Sequence, residues 1–110
     1  MADMTYASVS DVKWWLKHPQ DDSSLDQEIS EVLEAVDAEL NDMLSEHFET
    51  PITDENLLEI LADIEAQWAA GLIRQRRRAE PGSEEDVYVQ VARRRLERLI
   101  ERKAGFFDLA

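Results

Sequence analysis

Between Leu25 and Leu44 the apolar residues Leu25, Ile29, Val32, Leu33, Val36, Leu40, Met43 and Leu44 recur mostly at steps of three and four. That period gathers them on one face of an α-helix. The same spacing returns twice more. Leu57, Leu61, Ile64, Trp68 and Leu72 form a stripe that Leu58 and Ile60 widen, which places that helix centrally. Tyr88, Val89, Ala92, Leu96, Leu99 and Ile100 give the apolar side of a later helix. The chain is therefore expected to be all-α, a single small domain of about four helices, one short and three long.

Three prolines and three glycines punctuate the pattern. Ser8, with Asp11 three residues on, reads as a capping box for a short first helix. It runs to about Lys17 and stops before His18-Pro19, because a residue preceding proline avoids helical angles. Ser23 with Asp26, or Ser24 with Gln27, offers the cap of the second helix, which ends near His47. The link from Phe48 to Ile52 reads as extended. Thr53 then caps the third helix, with Asp54 and Glu55 in its first turn and the basic run Arg74 to Arg78 at its negative end. Ala79-Glu80-Pro81-Gly82 reads as a turn, and Ser83 with Asp86 caps the fourth helix. Gly105 is the expected C-cap. Residues 1–104 thus read as the helical domain and 105–110 as an extended C-terminal tail.

The chain's 110 residues fit one domain, and 44% apolar content supplies one modest core. A domain of this size buries roughly two-thirds of the surface its unfolded chain exposes, so added partner surface would help it. There is no cysteine, which excludes disulfides, thiolate metal sites and thiol catalysis. No stretch approaches the ~20 apolar residues of a membrane span, and the first residues do not resemble a signal peptide. A soluble protein made in the cytoplasm, with no membrane partner, is expected.

Charge narrows the partners. Asp and Glu number 25 against 12 Lys and Arg, a net charge of −13. Residues 1–66 hold 18 acids and two bases, whereas residues 67–110 hold seven acids and ten bases. The two halves are electrostatically complementary, so a neighbouring copy can set its basic half against this acidic one. An acidic surface repels duplex phosphate, which argues against ordinary nucleic-acid binding. Lysine is scarce, with three against nine arginines. High acid with scarce lysine resembles proteins of salt-loving microbes, where screening shortens self-repulsion; an ordinary acidic protein is the alternative.

Catalytic chemistry finds little footing. His18 and His47 do not form a metal-ligand pair, and no metal site or cofactor is expected. The carboxylates sit mainly at exposed helical positions, where a solvated face explains them better than an acid–base pair. The glycines are not clustered, so no phosphate cradle is expected. The chain reads as a non-enzyme.

Candidate interface residues are clearer. Adjacent helical residues point about 100° apart, so Trp14 and Trp15 cannot readily both enter one small core. One is expected in the core and the other as an interface anchor, as tryptophan is enriched at binding hot spots; both packed inside is the alternative. Arg74, Arg77 and Arg78 close the third helix. Arg94 and Arg98 lie on the fourth, where Arg93 and Arg94 are expected to pair with Glu97, and Arg98 with Glu101. These arginines remain partly available to an acidic neighbour. Phe106, Phe107 and Leu109 follow the expected helix stop. Left free they form exposed apolar surface, so a partner subunit is expected to hold them, or they fold back on their own core.

These features resemble the head–tail connector, or adaptor, proteins of tailed viruses. The likeness spans about Tyr6 to Ile73: a short helix such as Ser8 to Leu16, a long helix such as Asp26 to Leu44, a link such as Thr50-Pro51-Ile52, and a third helix from Leu57 through Ala66. The acidic composition would suit a virus of haloarchaea. The resemblance implies a virion protein of the neck. It implies a homo-oligomeric ring of about twelve copies between the portal protein and a stopper or tail protein. Genome DNA passes through such a ring without specific binding. A second reading is an acidic DNA mimic that inhibits a nucleic-acid-binding protein; the basic second half argues against it.

Overall fold

The computed structural model describes residues 5–78 and 85–109, with side chains described through Arg102. Helices α1 (Val9–Leu16), α2 (Asp26–Leu44), α3 (Glu55–Arg78) and α4 (Val87–Leu109) follow one another, and there is no strand among the described residues. The all-α architecture is as the periodicity requires.

Helix α1 begins as its sequence dictates. Asp11 N–H donates to Ser8 Oγ at 3.2 Å, and Ser8 N–H donates to Asp11 Oδ2 at 2.9 Å, which completes the capping box. It ends at Lys17, which takes the left-handed conformation with φ 58°. Lys17 N–H returns to the Trp14 carbonyl and His18 N–H to the Lys13 carbonyl, satisfying two carbonyls at the helix end.

Other boundaries shift. Helix α2 has Leu25 as its N-cap, with no side-chain cap from Ser23 or Ser24. Asp22 Oδ1 holds Ser24 N–H instead, and Asp26 in the first turn takes the Lys13 ammonium at 2.8 Å. That helix stops at Leu44, not His47. The cap of α3 is Asp54 in place of Thr53: Asp54 Oδ1 accepts from Asn56 N–H, and its carbonyl accepts from Leu58 N–H. The preceding Thr50–Pro51 peptide bond is cis. Ser83 and the expected turn at 79–82 lie outside the described residues. Asp86 caps α4, with Tyr88 N–H on its Oδ1 at 2.9 Å. Past Gly105, the expected stop, α4 continues to Leu109, so residues 105–109 of the stretch read as an extended tail are helical. A glycine within a helix costs only about 1 kcal/mol against alanine, which weakens a helix without ending it.

Helix α3 is central, as its wide stripe implies, and packs on α1, α2 and α4. From Ile64 to Gly71 every residue is buried. Its small residues Ala66, Ala69, Ala70 and Gly71 let neighbouring elements approach closely, while Trp68 fills the centre at 2% exposure. Ile29, Val32, Leu33, Val36 and Leu40 of α2 and Val89, Ala92, Leu96 and Ile100 of α4 complete the core.

Candidate protein-interaction surface

The tandem tryptophans divide at the surface. Trp14 is 68% exposed, whereas Trp15 is half-buried against the core. Their rings meet edge to face at 5.4 Å, and Trp15 meets Tyr88 of α4 in the same manner at 5.3 Å. Trp15 Nε1–H donates to Asp63 Oδ1 at 3.3 Å, and the Tyr88 hydroxyl donates to the Trp15 carbonyl at 3.4 Å. The ring of Tyr88 carries the Arg74 guanidinium 4.0 Å above it. Trp14 thus stands on a base locked to α3 and α4.

Two grooves flank this blade. One is lined by Asp11, Trp14, Trp15, Glu59, Ala62 and Asp63. The other is lined by Lys13, Trp14, Trp15, Lys17, His18, Pro19, Gln20 and Tyr88. The first is acidic, the second basic and more apolar.

The arginines divide into two groups. Arg78 donates to Asp86 Oδ2 at 2.6 Å, Arg74 lies 3.4 Å from the same oxygen, and Arg77 lies 3.3 Å from Glu28 of α2. These three expected interface residues therefore bind their own chain, closing the α3–α4 junction and tying α3 to α2. On α4, Arg93 binds Glu85 through both nitrogens at 2.9 Å, and that hydrogen bonding holds its guanidinium above the ordinary range. Arg95 reaches Gln67 and Asp63 at 2.7 Å each. The expected pairs of Arg93 and Arg94 with Glu97, and of Arg98 with Glu101, do not form. An acid C-terminal to its base is the weaker orientation on a helix, and Glu85 offers Arg93 a bidentate partner. Arg94 and Arg98 are exposed and have no ion-pair partner among the described residues. The side chains of Phe106, Phe107 and Leu109 lie outside the described residues.

No group of three or more metal-ligating side chains occurs among the described residues, and no helix there is long and apolar enough to cross a membrane. His18 Nε2 sits 3.5 Å from Asp22 Oδ2, and His47 is exposed at the end of α2.

Comparison with protein-family models, with curated proteins and with solved structures gave no match.

A buried polar junction had escaped sequence reasoning. Glu65 of α3 is wholly buried and accepts Ala7 N–H at 2.7 Å. Burial first, then its hydrogen bond with Asp37 of α2, pushes the Glu65 carboxyl up to about 9. Glu65 Oε2 and Asp37 Oδ1 find no hydrogen-bond donor among the described residues, and a protonated Glu65 carboxyl supplies the donor that this junction lacks. Beside them, the Tyr6 hydroxyl donates to Asn41 Oδ1 at 2.6 Å and accepts Ile52 N–H at 2.8 Å. The signal was in the spacing: Glu65 falls at steps of four and three between Leu61 and Trp68, inside the apolar stripe. The junction anchors residues 5–7 and the loop before α3 to the bundle; its carboxyl is sealed from solvent and offers no substrate site.

Proposed function

We propose that this chain is a head–tail connector of a tailed virus, a structural protein that forms a ring between the portal and the stopper or tail protein. The observation that carries the reading is the order of its elements. A capped eight-residue helix, a 19-residue helix, a proline-bearing link and a central 24-residue helix succeed one another, in the order that the connector family arranges. The surface supports the same role. The exposed indole of Trp14 and the exposed Arg94 and Arg98, which have no ion-pair partner among the described residues, face outward, where a neighbouring chain completes them. On α2, Glu31, Glu34, Glu39 and Asp42 are exposed, and an acidic wall of that kind lets DNA phosphates slide past without adhering.

Electron microscopy of the purified chain, alone and with the portal protein of its virus, tests the reading. A ring that caps the portal is the expected result. A monomer that ignores the portal and blocks a DNA-binding protein favours the mimic and overturns the connector.

A further inference from the structure

Helix α4 keeps one face unused. Val89, Ala92, Leu96 and Ile100 point into the core. At 100° per residue, Val87, Val91, Arg94 and Arg98 lie on the opposite side in a single stripe. Val87 and Val91 are 55% and 39% exposed. This face is apolar at its start and cationic beyond.

The acidic groove at Trp14 has the converse character. It offers an exposed indole beside the carboxylates of Asp11, Glu59 and Asp63. Arg95 engages Asp63, while Glu59 is exposed with no ion-pair partner among the described residues. Each surface pairs an apolar patch with charge, and the charges are opposite.

We propose that copies of this chain associate by seating the Val87–Val91–Arg94–Arg98 face of α4 in the Trp14 groove of a neighbour. The valines cover the indole, and the two guanidiniums reach Glu59 and Asp11. The inference rests on the connector reading for the claim that copies meet, and adds which surfaces meet. Because the two patches differ, the contact is heterologous, which is the kind that propagates from copy to copy and closes when the rotation permits.

A charge swap in the full chain tests it by sedimentation. One variant carries Arg94→Glu, the other Glu59→Arg; both positions are exposed, and Arg98 and Asp11 stay unchanged and matched in every pairing. Each variant alone associates at least about tenfold more weakly than the parent, since like charges then face each other. An equimolar mixture regains association, because every junction in an alternating assembly is again of opposite sign. Trp14→Ala weakens association independently and abolishes the fluorescence change that burial of the exposed indole produces. If the swapped variants and Trp14→Ala all assemble as the parent does, the pairing is wrong while a ring through other surfaces stands. A parent chain that remains monomeric at every salt and protein concentration, with or without portal, overturns both readings.

Discussion

Arg78 and Asp86 meet at 2.6 Å across the junction between α3 and α4, and Asp86 is only 2% exposed. The same carboxylate takes Arg74 and caps α4 through Tyr88 N–H, while Gln75 Oε1 accepts Asp86 N–H at 2.9 Å. One side chain therefore starts a helix and fastens the end of the previous one. Asp86→Ala removes the cap and the carboxylate that Arg74 and Arg78 share, a loss of about 2–4 kcal/mol. Asp86→Asn keeps a good cap and loses only the charge, so about half that loss is expected. Urea unfolding of the two variants separates the contributions.

The Glu65 junction makes stability depend on pH. Its folded-state pKa of about 9 stands above the ordinary carboxyl value of 4.5, so the native state binds this proton more tightly than the unfolded chain does. Stability from this group is greatest below about 4.5, declines as pH rises toward about 9, and is level beyond. Within that window the slope approaches about 1.4 kcal/mol per pH unit. The groups acting on Glu65 are Asp37 from α2 and the backbone of Tyr6 and Ala7 from the first segment. Glu65→Gln can still accept Ala7 N–H and donate to Asp37. Thermal unfolding from pH 5 to pH 9 should therefore show a flatter profile for Glu65→Gln than for the parent, crossing to greater stability at the alkaline end. Parallel profiles would show that Glu65 titrates normally.

Helix α1 ends on a residue poorly suited to its conformation. Lys17 sits at φ 58°, where a side chain is strained and glycine is not. Its own N–H and that of His18 both return to α1 carbonyls, so the backbone must keep this shape. Lys17→Gly relieves the strain, partly offset by greater freedom of the unfolded chain. A gain of about 0.5–1 kcal/mol is expected, read as a higher urea midpoint with unchanged slope.

The acidic surface predicts a response to salt. Glu31 and Glu34, and likewise Glu39 and Asp42, are exposed like-charge neighbours three residues apart on α2, which destabilises a helix. Raising salt from 0.1 M to 1 M shortens the screening length from about 10 Å to about 3 Å. Thermal midpoints should rise by several degrees, about what 1 kcal/mol gives in a domain of this size. A midpoint that falls with salt would mean that attractive pairs such as Arg95 with Asp63 outweigh the repulsion.

The helices and much of the core were legible because burial follows a period that residue type alone reveals. Val36, Ile64 and Leu96 needed no tertiary knowledge. The caps at Ser8 and Asp11 were legible for the same reason, being local. What escaped was set by contacts distant in sequence. Asp86 caps α4 while Arg74, Gln75 and Arg78 of α3 hold it, partners that sequence spacing does not reveal. Arg74, Arg77 and Arg78 looked free because Glu28 and Asp86 reach them only after folding. Glu65 looked like one more surface acid, though its place in the stripe contradicted that. Trp14 and Trp15 were separable in principle, yet which ring faces out depended on Tyr88, 73 residues from Trp15.

Gly71 sets how closely α3 approaches α4. A Cβ there would lie 2.7 Å from Val89 Cγ2, 2.8 Å from Val89 N and 2.9 Å from Tyr88 Cβ. Because a backbone atom is among these, a rotamer change cannot relieve the clash, and the start of α4 must move. Helix propensity alone would make Gly71→Ala stabilising by about 1 kcal/mol. Overpacking of this severity costs about 1–3 kcal/mol, and it is compounded here by disturbance of the Asp86 cap. Gly71→Ala should therefore lower stability, with far-UV helicity unchanged. Ala35→Gly, at an exposed site on α2, should cost only the propensity difference of about 1 kcal/mol and serves as the comparison. A Gly71→Ala variant more stable than the parent would mean that the two helices are not in the close contact described.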